Sequence, residues 1–220
     1  MPVSKGRSCT RAEFEQQEYL LKKMIEVVET YYHTSIESLR THISQIEEET
    51  NSYDESVTLT KQLYEELDEM VHQRYIARNK LVIIVYSITE QSLAEICTQY
   101  VVPLLFSPQN KAKRYYYLSD FLFSLGVDYN TQNSSNAAFM VHTAIRELRN
   151  HCTHSGNDLG RATAAVAAMG KAGFTDIVSV EGVVQIHSDT ALYKILQICC
   201  LMLEEAEGKA RSFYDNYSNK

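Results

Sequence analysis

The chain has no tryptophan, and only 8 glycines and 3 prolines in 220 residues. So little turn material restricts the fold to few, long elements. No apolar run approaches the roughly 18 residues that a membrane span needs, and the opening Met1-Pro2-Val3-Ser4-Lys5-Gly6-Arg7 lacks a targeting core. Both absences predict a cytoplasmic protein with no membrane partner. The five cysteines, Cys9, Cys97, Cys152, Cys199 and Cys200, are odd in number and contain no Cys-x-x-Cys pair. That argues against a disulfide framework or a structural zinc site. Positive charge is also short: 21 Lys and Arg against 28 Asp and Glu leave a formal net charge of -7. A general nucleic-acid coat would be basic, so broad electrostatic binding is disfavoured, while a small basic cleft stays open.

What the chain does have is helical periodicity. Between Arg11 and Thr50 apolar residues recur at Leu21, Ile25, Val28, Tyr32, Ile36, Leu39, Ile43 and Ile46, which predicts one long amphipathic helix. A second helix is expected from Asp54 to the prolines at 103 and 108, through Leu63, Leu67, Met70 and Val71. Its Leu81-Val82-Ile83-Ile84-Val85 run is rich in β-branched residues and could be a strand. Helical spacing on both sides and the lack of a turn residue favour helix. The two are expected to pair antiparallel through a short connection.

A shorter helix is expected over Lys111 to Leu125, where Tyr115-Tyr116-Tyr117 follows a basic start and either stacks bases or buries its rings. Ser134 or Ser135 is the expected cap of the next helix. The Ala- and Gly-rich stretch up to Gly173 reads as loop with a single helical turn. Phe174 to Val178 and Val183 to Ile186, around Glu181-Gly182, predict a hairpin. Ser188 or Asp189 then caps a closing helix whose core side is Leu192, Ile195, Leu196, Cys199, Met202 and Leu203. Cys97, Cys199 and Cys200 fall in apolar runs and read as small core residues.

The chemistry concentrates in Arg149-Asn150-His151-Cys152-Thr153-His154-Ser155-Gly156-Asn157. Projected at about 100° per residue, Val141, Ala144, Ile145, Leu148 and Cys152 form an apolar stripe, and His142, Arg146, Arg149, Asn150 and His154 lie off it. Such a face is a candidate anion-binding surface. Arginine grips phosphate through a planar fork, and histidine moves protons near neutral pH. Cys152 with His151 and His154 gives at most a faint metal pattern, so no metal and no cofactor are expected. Glu90, a polar residue in the most apolar helix, either accepts a hydrogen bond from an active-site Arg or His or faces solvent. His151 projects away from Arg149 and is a secondary supporting residue. On one straight helix Arg149 and His154 stand about 140° apart. A phosphate shared by both therefore calls for an unwound helix end or for a second copy of the motif.

Arg149 and His154 with four residues between them, and polar Asn150 directly after the arginine, resemble the motif of the HEPN superfamily. The resemblance covers roughly Leu81 to Lys209. It implies a mainly α, antiparallel helical bundle with a small β-hairpin insert before the last helix. The expected organisation is one domain over 1–220: an N-terminal helical elaboration over 1–52, a bundle with the motif over 53–156, a loop and hairpin insert over 157–187, and a closing helix over 188–220. It further implies a metal-independent endoribonuclease, active as a homodimer and used as a toxin or antiviral-defence effector, with an antitoxin or sensor protein as a further partner. Arg149, His154 and Asn150 would be catalytic, with Arg146, His142, Glu90 and His151 supporting or binding RNA. HEPN-like folds also serve as non-catalytic RNA- or protein-binding modules. One departure stands out: Gly156 occupies the position where HEPN toxins silenced by nucleotidylation carry a tyrosine.

Overall fold

The computed structural model describes residues 9–49, 53–100, 125–127, 136–154 and 158–218; the side chains of 9–14, 49, 53–57, 98, 154 and 217–218 are outside the description. Five helices and one hairpin make up these residues, in the order α1 (Cys9–Glu49), α2 (Tyr53–Tyr100), α3 (residues 137–154), α4 (Leu159–Lys171), β1 (Ile177–Val180), β2 (Val183–Ile186) and α5 (Asp189–Ser218). This is the mainly α fold with a hairpin before the last helix that the periodicity implies.

Helices α1 and α2 run antiparallel, since Gln17 meets Ser92, Glu29 meets Arg74 and Arg78, and Glu47 meets Tyr64. The Leu81 to Val85 run lies inside α2, with Leu81, Val82 and Val85 buried. Only the inner part of α1 joins the main core, through Leu21 and Ile25. Farther out, Ile36 and Ile43 of α1 and Leu63 of α2 are buried apart from that core, so the outer halves form a two-helix arm. Helix α5 begins beside Tyr75, where His187 stacks on that ring at 5.3 Å, and ends near Tyr100, which meets Tyr214 at 6.2 Å. It therefore lies parallel to the inner half of α2, and its buried face includes Leu192, Ile195, Leu196, Cys199, Met202 and Leu203.

A buried ion cluster ties three elements together. Arg78, 2% exposed, donates to Glu29 through Nε and Nη2, both at 2.7 Å, and to the Ile186 carbonyl through Nη1 at 2.6 Å. Arg74 adds a second arginine to the same carboxylate at 2.6 Å. Burial by itself would raise the Glu29 pKa, but the hydrogen bonds and charges of Arg78 and Arg74 outweigh it and hold the carboxyl below its usual range.

The hairpin register explains why Ile186 is the acceptor. Val180 pairs with Val183 and Val178 with Gln185, and the His187 amide donates to the Asp176 carbonyl. In that alternation the carbonyls of Val184 and Ile186 point to the free edge of β2. Asn79 donates to the first at 2.9 Å and Arg78 to the second, so α2 closes the open edge. The turn itself needs positive φ at both central residues, met by Glu181 at 50° and Gly182 at 81°.

Two local expectations change. The stretch after Asp158 is not loop: α4 occupies 13 residues of it. Alanine is the best helix former, and Ala162, Ala165 and Met169 supply one buried stripe. Its ends were written in the sequence. The Asp158 side chain accepts from the Arg161 amide, and Gly173 at φ 80° allows the Gly173 and Phe174 amides to close back on the carbonyls of Gly170 and Met169. The cap of α3 is Asn136, whose side chain accepts from the Phe139 amide at 3.0 Å, in place of Ser134 or Ser135, which lie outside the described residues. Most of the helix expected over residues 111–125 is also outside them, and Leu125 and Gly126 form a turn. Ser188 caps α5 by accepting from the Ala191 amide at 3.1 Å.

Removing one member of the ion cluster leaves the other charges buried without compensation. Glu29→Ala is expected to lower the unfolding free energy by about 3–5 kcal/mol in urea titrations. Exposed Glu37→Ala is expected to change it by under about 0.5 kcal/mol. Equal effects would mean that the cluster contributes nothing beyond a surface pair.

Candidate functional site

Helix α3 is not uniform. Its first turn, Ala137–Met140, is α-helical, Val141–Ile145 is a π-helical turn, and Arg146–His154 is α-helical again. The Arg146 amide reaches back five residues to the Val141 carbonyl. Within this turn the Thr143 hydroxyl donates to the Phe139 carbonyl at 2.6 Å. A constant 100° projection therefore fails across this turn. Val141, Ala144, Ile145 and Leu148 of the expected stripe are buried, Cys152 is only partly so, and His151 joins them at 5% exposure.

Arg149 sits off that stripe and leans on α2. Its guanidinium carbon lies 5.5 Å from the centre of the Tyr86 ring. Nη2 is 3.7 Å from Glu90 Oε2, and Nη1 donates to Asn150 Oδ1 at 3.1 Å. The Arg149 side chain keeps 26% exposure, enough to meet a ligand at one edge. Glu90 thus faces the arginine across the helix pair as an ion pair at 3.7 Å, longer than the hydrogen bond that one of its two sequence readings expects. Tyr86 carried no role in the sequence reading. The available signal was its spacing, four residues before Glu90 and so on the same face of α2.

Arg146 lies one turn earlier, and its Nη2 donates to Glu147 Oε1 at 3.3 Å. Glu90 and Glu147 are thus the acids paired with the two motif arginines.

The histidines separate. His142 stands on the π-helical turn, and burial followed by the Arg146 charge lowers its pKa to about 4. At neutral pH it is uncharged and adds nothing to a cationic face. His151 is lowered too, first by burial, with Arg161 acting the same way and Asp158 opposing. Its Nδ1 is buried with no hydrogen-bond partner among the described residues. At 5% exposure it belongs to the packing of α3 near the start of α4, apart from the Arg149 surface. His154 closes the helix five residues after Arg149, which keeps the two about 140° apart along α3. Its side chain lies outside the described residues. Cys152 has a thiol pushed up to about 12 by burial, which makes it a poor nucleophile. Among the described residues no cluster of three or more His, Cys, Asp or Glu could hold a metal ion, and no helix is long and apolar enough to cross a membrane.

Comparison with protein-family models, with curated proteins and with solved structures found no match.

His142 gives the site a pH signature. Its folded pKa of about 4 lies below the 6.5 of the unfolded chain. The stability it contributes is therefore complete above pH 6.5 and is lost as pH falls toward 4, of order 2–3 kcal/mol in full. Thermal melts should show wild type losing more stability than His142→Gln between pH 7 and pH 4.5. An identical acid loss in both proteins would contradict the burial argument.

Proposed function

We propose that the chain is a metal-independent endoribonuclease of the HEPN type, acting as a homodimer in the role of a toxin or antiviral-defence effector. The observation that carries this reading is the Arg149 environment. The motif arginine is off the core stripe, partly exposed, and braced by Tyr86, Glu90 and Asn150.

In this reading His154 moves the proton of the ribose 2′-hydroxyl or of the leaving 5′-oxygen. Arg149 stabilises the charge that builds on the phosphorane oxygens, and Asn150 keeps the guanidinium in place. The 2′-oxygen attacks the adjacent phosphorus, the bond to the 5′-oxygen breaks, and the products are a 2′,3′-cyclic phosphate and a 5′-hydroxyl. DNA is spared because it lacks the nucleophile. The angle between Arg149 and His154 favours a two-fold axis beside α3, so that one phosphate meets groups from two copies. RNA and a second copy are the primary partners, and an antitoxin or sensor protein would hold the activity in check.

A second reading, a non-catalytic module that binds RNA or a partner protein, is favoured by one observation. The arginines at the motif are matched by Glu90 and Glu147. A phosphate has to compete with a carboxylate already beside Arg149.

Purified protein is expected to cleave labelled RNA in EDTA and to leave the deoxy analogue intact. Arg149→Ala and His154→Ala should each reduce cleavage by roughly 100-fold or more without altering the far-UV circular dichroism. Arg149→Lys should fail as well, because an ammonium cannot reproduce the fork. Wild-type rates in either alanine variant would sink the catalytic assignment.

The shared-site geometry has its own test. Mixing Arg149→Ala with His154→Ala subunits should restore part of the activity that each lacks alone. A monomer in solution that cleaves at full rate would overturn the composite site.

A further inference from the structure

Arg149 is constrained by groups of unequal kind. The carboxylate of Glu90, 3.7 Å from Nη2, is beyond hydrogen-bond distance and attracts the cation without setting its plane. Asn150 holds one nitrogen, Nη1, at 3.1 Å. Nε is buried and has no hydrogen-bond partner among the described residues, so nothing polar fixes the inner end of the guanidinium. What remains is the Tyr86 ring, 4% exposed, with its centre 5.5 Å from the guanidinium carbon. That separation is within the range at which a ring quadrupole attracts a cation, and exclusion of water strengthens the attraction. Leu81, Val82 and Val85, in the turn before the ring, are buried and anchor this part of α2 in the core.

We infer that Tyr86 is a positioning residue for Arg149. Its aromatic face holds the guanidinium against α2, and the outer edge of the fork is thereby presented to a phosphodiester oxyanion. This rests on the ribonuclease reading above. The arginine side chain has four rotatable torsions, and without the ring a salt bridge and one amide leave several of them free. Pre-setting them removes an orientational cost at the moment when charge develops on phosphorus. Tyr86 touches no substrate and acts only through Arg149. Its loss should therefore lower kcat and leave KM and the pH profile of cleavage close to wild type.

The test compares wild type, Tyr86→Phe and Tyr86→Leu by RNA cleavage and by NMR of the Arg149 Nε–H group. In wild type and Tyr86→Phe that proton should carry an aromatic ring-current shift, and kcat should agree within about 3-fold. In Tyr86→Leu the shift should vanish and kcat should fall by about 10-fold. A Leu variant that loses the shift and keeps its kcat overturns the proposal, as does a wild-type Arg149 with no ring-current shift. If Tyr86→Leu does not fold, Tyr86→Phe with a progressively fluorinated ring weakens the quadrupole at nearly constant shape. Under the proposal kcat drops with each added fluorine, and a flat series refutes it. If the wild-type protein cuts no RNA, the ribonuclease reading fails on its own. The hold on Arg149 is then judged by the shift alone, whose presence in wild type and loss in Tyr86→Leu supports it and whose absence in wild type rejects it.

Discussion

Glu29 and its two arginines are the constraint on which the arrangement of the other elements depends. An apolar seam between two long helices tolerates sliding by a heptad, about 10 Å, because one leucine-rich turn resembles the next. Sliding α1 on α2 would separate Glu29 from Arg74 and Arg78 and strand Arg78 in a dry environment. The same Arg78 closes the edge of β2 through the Ile186 carbonyl. One side chain therefore sets the register of the helix pair and the seat of the hairpin. The cluster carries one more positive than negative charge, and the carbonyl dipole partly offsets the excess.

From that anchor the candidate site follows by counting along α2. Tyr86 lies eight residues beyond Arg78, about 12 Å along the axis, and Glu90 one turn farther. Both face α3, where the π-helical turn inserts an extra residue before Arg146. Without it the segment that follows would be rotated by about 100° relative to the first turn. Arg149 would then point elsewhere than at Tyr86. Rigid α2 supplies the platform, and a local defect in α3 supplies the aim.

The long helices, their antiparallel order, the hairpin and the final helix were legible because each rests on periodicity over many residues or on a two-residue turn. The α4 helix was not, since alanines give a weak apolar signal and glycines at 160, 170 and 173 suggest loop. Asp158 and Gly173 were nevertheless its start and stop signals. Arg149, Asn150 and Glu90 could be named from the chain, because the residue types carry the chemistry. Tyr86 and the burial of His151 could not. A π-helical turn changes the projection, and a cation over a ring is a tertiary contact with no sequence period. Glu29, Arg74 and Arg78 were hidden for a similar reason: in an amphipathic pattern they read as solvated positions, and the burial of Arg78 involves a third element, β2.

The arm formed by the outer halves of α1 and α2 has a consequence for measuring this protein's size. At about 1.5 Å per residue, 41 and 48 residues make rods of roughly 60 and 70 Å. A compact chain of 220 residues would have a radius of gyration near 17 Å. The outer halves of these rods, projecting from the bundle, raise the frictional coefficient and slow diffusion out of proportion to mass. On a gel-filtration column a single copy will therefore elute early, at the volume of a larger globular standard. Elution volume alone would overstate the number of subunits, and their count has to come from scattered light or sedimentation equilibrium, which respond to mass and not to shape.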